Sequence, residues 1–233
     1  MSAPVALITG AGRGIGRASA IELSSRGYSI LLVSRTETEL RETEKRCGVA
    51  CAIATADIAK PQAARDAVQK ALDRFGRLDA VVHCAGLAPI LKIEETTDHQ
   101  WHDVINTNLS AAFYLARAAW STFLKQGAGV IVNISSLAAR DPFVGFTAYA
   151  AAKAGVNLLG LSLAREGQPH NIRVHTVAPG ATETAMFRKL LTPEQFGPEK
   201  TLDPADVARV VAQCVTGELQ HTSGEVIWVH KTV

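Results

Sequence analysis

The sequence predicts a three-layer, doubly wound α/β domain, a parallel sheet of about seven strands with helices on both faces. Three observations predict it. Short β-branched runs alternate with longer helical stretches from end to end, the pattern of a parallel sheet wound with helices. Runs such as Leu31-Leu32-Val33 and Val81-Val82 are continuous rather than alternating, as in strands covered on both sides. A glycine-rich turn, Thr9-Gly10-Ala11-Gly12-Arg13-Gly14-Ile15-Gly16, joins the first strand directly to the first helix.

In chain order, strands are expected at 5–9, 29–34, 50–55, 80–84, 130–135, 173–177 and 225–229. Helices near 15–26, 37–47, 62–75, 98–124, 148–165 and 204–215 fill the gaps between them. No Pro/Ser/Gly-rich linker, repeat or low-complexity tract divides the chain, so 1–233 reads as one domain. Two helices say more. The stretch 148–164 holds one charged residue, Lys153, and 101–124 is nearly as poor in charge. A helix apolar around its whole circumference is buried on more than its sheet-facing side. The second cover is expected to be another copy of the chain, giving a homodimer or homotetramer through the 98–124 and 148–165 helices. The alternative is burial under the protein's own loops.

Composition narrows the function. Of 233 residues, 47% are hydrophobic and 20% charged, which fits an ordinary globular protein and not a disordered one. The 24 basic and 22 acidic residues are too evenly balanced for a nucleic-acid binder. The start has no basic n-region, and its apolar run is too short for a signal peptide. No uncharged apolar stretch approaches the roughly 20 residues that cross a bilayer. Cys47, Cys51, Cys84 and Cys214 form no C-x-x-C pair and have no histidine at zinc-ligand spacing, so no metal is expected. Cys84, in an apolar run, reads as a small core residue. A reduced, cytoplasmic protein is the expectation.

The glycine turn is the first functional signal. The backbone there must turn sharply and admit a pyrophosphate without Cβ interference, and free N–H groups at the helix start bind the anion. Gly10, Gly14, Ile15 and Gly16 are the candidate contacts. The spacing is neither G-x-G-x-x-G nor a P-loop, and a tight structural turn is the plain alternative. The end of the second strand bears on which dinucleotide binds. A carboxylate there would hold the ribose of NAD(H), but the residues are Ser34, Arg35 and Thr36. A guanidinium and two hydroxyls suit a 2′-phosphate, and Arg13 can reach it from the glycine turn. NADP(H) is therefore expected over NAD(H), with Glu37 the nearest acid on the other side of the argument.

The second signal is Ser136, Tyr149 and Lys153. Tyr149 and Lys153 are four apart in a helical stretch and share a face. Ser136 sits just past the fifth strand, at the carboxyl edge where ligands bind in open α/β sheets. A phenol ordinarily titrates near 10, and a neighbouring ammonium is expected to make it acidic enough for proton transfer. Ser136 can hold the same substrate oxygen. Any one of the three read alone is a packing or surface residue; a lone lysine in an apolar helix is harder to dismiss, because an unpaired buried charge is costly.

Together these residues resemble the short-chain dehydrogenase/reductase family in its simple one-domain form, a Rossmann-like fold. The match runs from Thr9-Gly10-x-x-x-Gly14-x-Gly16 to Pro179-Gly180. The resemblance implies a catalytic set of Asn108, Ser136, Tyr149 and Lys153, with Asn108 kinking its helix and holding a water in a proton relay to the lysine. It implies that Asp57 and Ile58 contact adenine and that Lys153 also binds the nicotinamide ribose. Pro179, Gly180, Thr182 and Thr184 would fix the carboxamide. Where the family has Asn-Asn-Ala-Gly, this chain has His83-Cys84-Ala85-Gly86, keeping the Ala-Gly that passes the cofactor. The chain also ends Trp228-Val229-His230-Lys231-Thr232-Val233, without the family's terminal glycines.

A substrate lid is expected at 185–201, where Met186, Phe187, Leu190, Leu191 and Phe196 are interrupted by Thr192-Pro193 and Gly197-Pro198. With Leu87, Ile90, Phe143 and Phe146 it would line an apolar cleft, and Arg140 and Arg188 could meet an anionic substrate. The expected activity is an NADP(H)-dependent carbonyl reductase or alcohol dehydrogenase acting on a small carbonyl or alcohol. The alternatives are a non-catalytic dinucleotide sensor on the same fold and a 3-oxoacyl-carrier-protein reductase. For the last, Val130 and His170 stand where basic carrier-docking residues would be sought. A Ser136 hydrolase is disfavoured, since Asn133-Ile134-Ser135-Ser136-Leu137 is no G-x-S-x-G elbow.

Overall fold

Every residue of Val5–Thr9 (β1) is buried, because this strand lies inside a sheet with a helix layer on each face. A computed structural model describes residues 3–231; the ends of the chain, including Thr232 and Val233 of the tail noted above, lie outside the described residues. The other strands are β2 (Ser29–Ser34), β3 (Cys51–Thr55), β4 (Ala80–His83), β5 (Gly129–Ile134), β6 (Ile172–Pro179) and β7 (Val226–Val229). All pair in parallel, in the order β3-β2-β1-β4-β5-β6-β7. The winding runs outward one way from β1 and the other way from β4, so a crevice opens where the two halves part, at the carboxyl ends of these strands.

The helices are α1 (Gly14–Ser25), α2 (Glu37–Glu44), α3 (Pro61–Phe75), α4 (Asp98–Ile105), α5 (Ala111–Gln126), α6 (Thr147–Gly167), α7 (Ala185–Arg188) and α8 (Pro204–Thr216). Side chains alternate between faces along each strand, and two apolar layers result. Leu7, Val81, Ile131 and Val174 pack with α3, α5 and α6. Ile8, Leu32, Val82 and Val132 pack with α1, α2 and α8. Among the described residues no helix is long and apolar enough to cross a membrane.

One polar row crosses this apolar sheet. Thr9 is in register with His83, His83 with Asn133, and Asn133 with Thr176, so the four side chains share a face; all four are buried.

The single helix expected over 98–124 is interrupted. Asn106–Ser110 forms a π turn, in which the Ala111 N–H bonds the Asn106 carbonyl. The cause is Asn108, fully buried, whose Nδ2 donates to the Val104 carbonyl at 2.9 Å, one helical turn back. Its side chain occupies the acceptor that the next turn of helix would use, and the backbone widens around it. The same Nδ2 donates to the Leu87 carbonyl (2.8 Å), and Oδ1 accepts from the Leu87 N–H (3.3 Å). Elsewhere the differences are at element ends: α2 stops at Glu44 rather than 47, and β6 runs on to Pro179, where a missing N–H is tolerated because the strand ends there.

Candidate active site

The carboxyl ends of the strands wall a cleft of about 780 Å³. Its floor is the glycine turn between β1 and α1. A Cβ on Gly10 would come within 2.8 Å of the Ala85 nitrogen, and one on Gly16 within 2.2 Å of the Gly10 carbonyl oxygen. Gly10 and Gly14 are moreover left-handed, with φ of +64° and +52°. Arg13 precedes α1 without capping it, and no acid stands in the first turn, so the N–H groups of the helix start meet no side-chain acceptor. That is a cradle for an anion. It is braced from behind: Thr43 Oγ1 donates to the Ala11 carbonyl (2.9 Å) and Arg17 bonds the Gly12 carbonyl. Thr9, which sequence reasoning left out, accepts from the Ala85 N–H (3.2 Å) and bonds His83 Nδ1 (2.9 Å), tying the turn to the end of β4.

Ser34, Arg35 and Thr36 line the same cleft at the end of β2, with Asp57 and Ile58 beyond β3, and Ile15 and Arg13 from the turn itself. The acid in this region is Glu39, not Glu37. Glu37 pairs with Arg41 (3.2 Å) outside the cleft, whereas Glu39 lines it and pairs with Arg13 (3.4 Å). Helical spacing carries the signal: Glu39 and Thr43 follow Thr36 at three and seven residues, on one face of α2.

Cys84, Ala85 and Gly86 form the cleft wall after β4. Cys84 packs against the apolar layer of Ile8 and Val82, as expected, and also lines the cleft; burial pushes its thiol up to about 12. Gly86 passes closest to the reactive groups; a Cβ there would meet Asn108 Oδ1 at 3.0 Å and Lys153 Nζ at 3.8 Å. Asn108 itself does not line the cleft; it stands behind the wall, and its neighbour Thr107 is exposed to the cavity instead.

Ser136, Tyr149 and Lys153 come together opposite the glycine turn. Lys153 is buried with Nζ donating to the Ile134 carbonyl (2.7 Å) and lying 5.6 Å from the centre of the Tyr149 ring. The Ser136 hydroxyl faces the phenol and favours its ionised form. Ser135 fastens the helix to the strand, its Oγ donating to the Lys153 carbonyl (3.1 Å). Burial lowers the lysine from 10.5 to about 8. The expected acidic phenol is not what the chain alone produces. Burial raises Tyr149 above its usual value, and the Ser136 contact opposes this.

Pro179, Gly180, Thr182 and Thr184 line the far side, and the 185–201 segment closes the outer end as α7 followed by a 3-10 turn at Pro198–Lys200. Met186, Phe187, Leu190, Leu191 and Phe196 face the cavity with Ile90, Phe143 and Phe146. Leu87 does not; it packs on Val104, Ala148 and Ala152. Neither expected substrate cation reaches the cleft. Arg188 is bound to Glu183 (2.5 Å) and to the Phe196 carbonyl (2.7 Å), bracing the lid, and Arg140 lies over the Trp228 ring at 4.8 Å. Lys200 and Lys231 line it instead.

Comparison with known proteins bears on this geometry. A sequence model of the short chain dehydrogenases matches residues 4–195. The chain belongs to the short-chain dehydrogenase/reductase family. Among its relatives are the short-chain reductase protein NovJ of Streptomyces niveus, 34% identical over 97% of this chain and 86% of that one. The 3-oxoacyl-[acyl-carrier-protein] reductase FabG of Escherichia coli is 33% identical over 97% and 95%. A solved structure of a candidate short-chain alcohol dehydrogenase from Sinorhizobium meliloti superposes with a TM-score of 0.92 at 28% identity, covering 98% of this chain and 95% of that one. Short-chain dehydrogenases are oxidoreductases that bind a nicotinamide dinucleotide. The side-chain-free floor, the uncapped helix start and the row of hydroxyls and guanidinium at β2 fit such a group.

Proposed function

We propose that this short-chain dehydrogenase is an NADP(H)-dependent carbonyl reductase, working in reverse as an alcohol dehydrogenase, with Tyr149 as general acid and base. The convergence of Ser136, Tyr149 and Lys153 on one wall of the cleft, beside the Gly86 gap, supports this reading above all. The glycine turn would hold the pyrophosphate; Asp57 and Ile58, the adenine; Ser34, Arg35, Thr36 and Arg13, a 2′-phosphate; Tyr149 and Lys153, the ribose; Pro179, Gly180, Thr182 and Thr184, the carboxamide, with Cys84, Ala85 and Gly86 along its edge. When bound, the nicotinamide supplies or accepts the hydride at the substrate's carbonyl or carbinol carbon.

Tyr149 gives its proton to the carbonyl oxygen during reduction and takes it back during oxidation. Ser136 donates to that same oxygen and fixes its position. Lys153, held by the Ile134 carbonyl, keeps a positive charge beside the phenol. Asn108 shapes the widened turn behind Lys153 and, with a water on that turn, returns protons to solvent. The apolar outer cleft suits a small apolar ketone or aldehyde. A 3-oxoacyl thioester is the second reading, favoured by the name of the E. coli relative. Against a carrier-bound form, Val130 is buried inside β5 and offers no docking surface. We also infer a homodimer or homotetramer, since Leu158 of α6 and Phe113 of α5 stand 65% and 41% exposed on the faces expected to be covered; a monomer in sedimentation velocity would refute this.

The test is NADPH absorbance with a panel of ketones, aldehydes, diketones and 3-oxoacyl thioesters, comparing the chain with Tyr149→Phe. The expected result is turnover that the substitution lowers by about two to four orders of magnitude. Tight NADPH binding without turnover of any substrate would identify a sensor. Turnover indifferent to Tyr149→Phe would remove the phenol from the mechanism.

A further inference from the structure

The end of the cleft beside the tip of β2 holds a carboxylate among its cations. Glu39, in the first turn of α2, lines this end with Gly12, Arg13, Ser34 and Arg35. A Cβ on Gly12 would stand 2.9 Å from Glu39 Oε2 and 3.2 Å from Ser34 Oγ, so acid and hydroxyl border one small space over the glycine turn. Glu39 Oε1 pairs with Arg13 Nη1 at 3.4 Å, and the two side chains are 33% and 55% exposed, so the pair is open to exchange. The backbone beneath the acid is fixed. Arg17 Nη2 bonds the Gly12 carbonyl and lies 3.5 Å from the Glu39 carbonyl. Thr43 Oγ1 lies 2.9 Å from the Ala11 carbonyl and 3.1 Å from the Glu39 carbonyl. The first turn of α2 is thus locked to the glycine turn at the residue that carries the carboxylate.

We propose that Glu39 sets the choice between dinucleotides and admits NAD(H) beside NADP(H). This rests on reading the end of β2 as the place of the adenine ribose. There the two cofactors differ by one group. A 2′-phosphate is an anion that needs donors, whereas a free ribose diol also donates and is served by a carboxylate. Arg13, Arg35, Ser34 and Thr36 offer the donors, and Glu39 offers the acceptor. With NADP(H), the phosphate draws Arg13 away from Glu39 and leaves the carboxylate facing a like charge, which lowers affinity. With NAD(H), Arg13 stays on Glu39 and holds the carboxylate toward the diol. Two arginines against one glutamate leave a single net positive charge at this end of the cleft, half of what the arginines alone would present to a phosphate. The same few side chains therefore receive either cofactor, by exchanging the partner of Arg13.

Fluorescence titrations of the full chain with NADPH and with NADH read both Kd values, which should lie within about tenfold of each other. Glu39→Gln keeps the size of the side chain and removes its charge. It should tighten NADPH roughly tenfold by relieving the like-charge contact. It should weaken NADH roughly fivefold, the difference between a charged and a neutral hydrogen-bond acceptor. Arg13→Ala, which frees the carboxylate of its counter-charge, should move the ratio the other way by weakening NADPH the more. A general loosening of α2 would weaken both ligands together and could not move them in opposite directions. A wild-type preference beyond about tenfold for either dinucleotide overturns the proposal, as does a ratio that Glu39→Gln leaves unmoved. If Arg35→Asp still weakens NADPH selectively in that event, the phosphate site stands and only the role of Glu39 falls. If the wild type binds neither dinucleotide, both fall.

Discussion

Replacing Lys153 by methionine should make the protein more stable at pH 7 while abolishing turnover. Burial moves this ammonium from 10.5 to about 8, so keeping it charged inside the protein costs about 3 kcal/mol. Methionine keeps most of the stem packing and carries no charge. The lost hydrogen bond from this charged donor to the Ile134 carbonyl returns about 2 kcal/mol of that, which leaves a gain of roughly 1 kcal/mol. The gain depends on pH with a definite sign. Below pH 8 the folded and unfolded chains both hold the proton, and the folded wild type bears the full penalty. Between pH 8 and 10.5 the unfolded chain holds a proton that the folded chain has released, so wild-type stability climbs with pH. Urea unfolding of Lys153→Met and wild type at pH 7 and pH 10.5 reads the difference directly, since other titrating groups are common to both. A variant less stable at pH 7, or an advantage that stays constant to pH 10.5, would refute a charge strained by burial.

Two other expectations follow from the same site. Arg35→Asp should weaken NADPH roughly ten- to a hundredfold in fluorescence titration, the worth of one hydrogen bond to a charged group, and leave NADH little changed; equal losses would contradict the phosphate assignment. His83 is held neutral by burial and by the Lys153 charge, at about 3, so the fold should lose stability as pH falls from 6.5 toward 3, where the unfolded chain takes up a proton that the folded one refuses. His83→Asn should flatten part of that acid slope in urea titrations, while His175, at about 4 through burial, keeps the remainder; an unchanged slope would exclude His83 as a source.

The strand pattern was plain in the sequence because period and burial agree: β1 and β2 fall where continuous Val, Leu and Ile runs put them. Ser136, Tyr149 and Lys153 were equally legible, since helical spacing and the strand end fix their neighbourhood. What escaped was anything decided by the far partner of a side chain. Glu39 was hidden behind Glu37 until α2 turned one inward and the other toward Arg41. Arg188 looks free in sequence but is held by Glu183 and the lid backbone. The phenol's raised value comes from its burial, and no spacing rule states that burial or the Ile134 carbonyl that captures the Lys153 ammonium. The π turn is local in cause, one asparagine taking the carbonyl four residues back, yet it also needs Leu87 across the cleft wall to hold Asn108 in place.

The buried file of Thr9, His83, Asn133 and Thr176 also governs how the central strands find their alignment. Parallel strands of Val, Leu and Ile slide past one another with little to choose between offsets, because oil meets oil at every step. A slip of one position in any of the four would swing its polar member through the sheet into the oily layer beneath α1 and α8, away from its mates. Misthreaded sheets are thereby penalised at a single cross-section, next to the place where the chemistry has to be assembled.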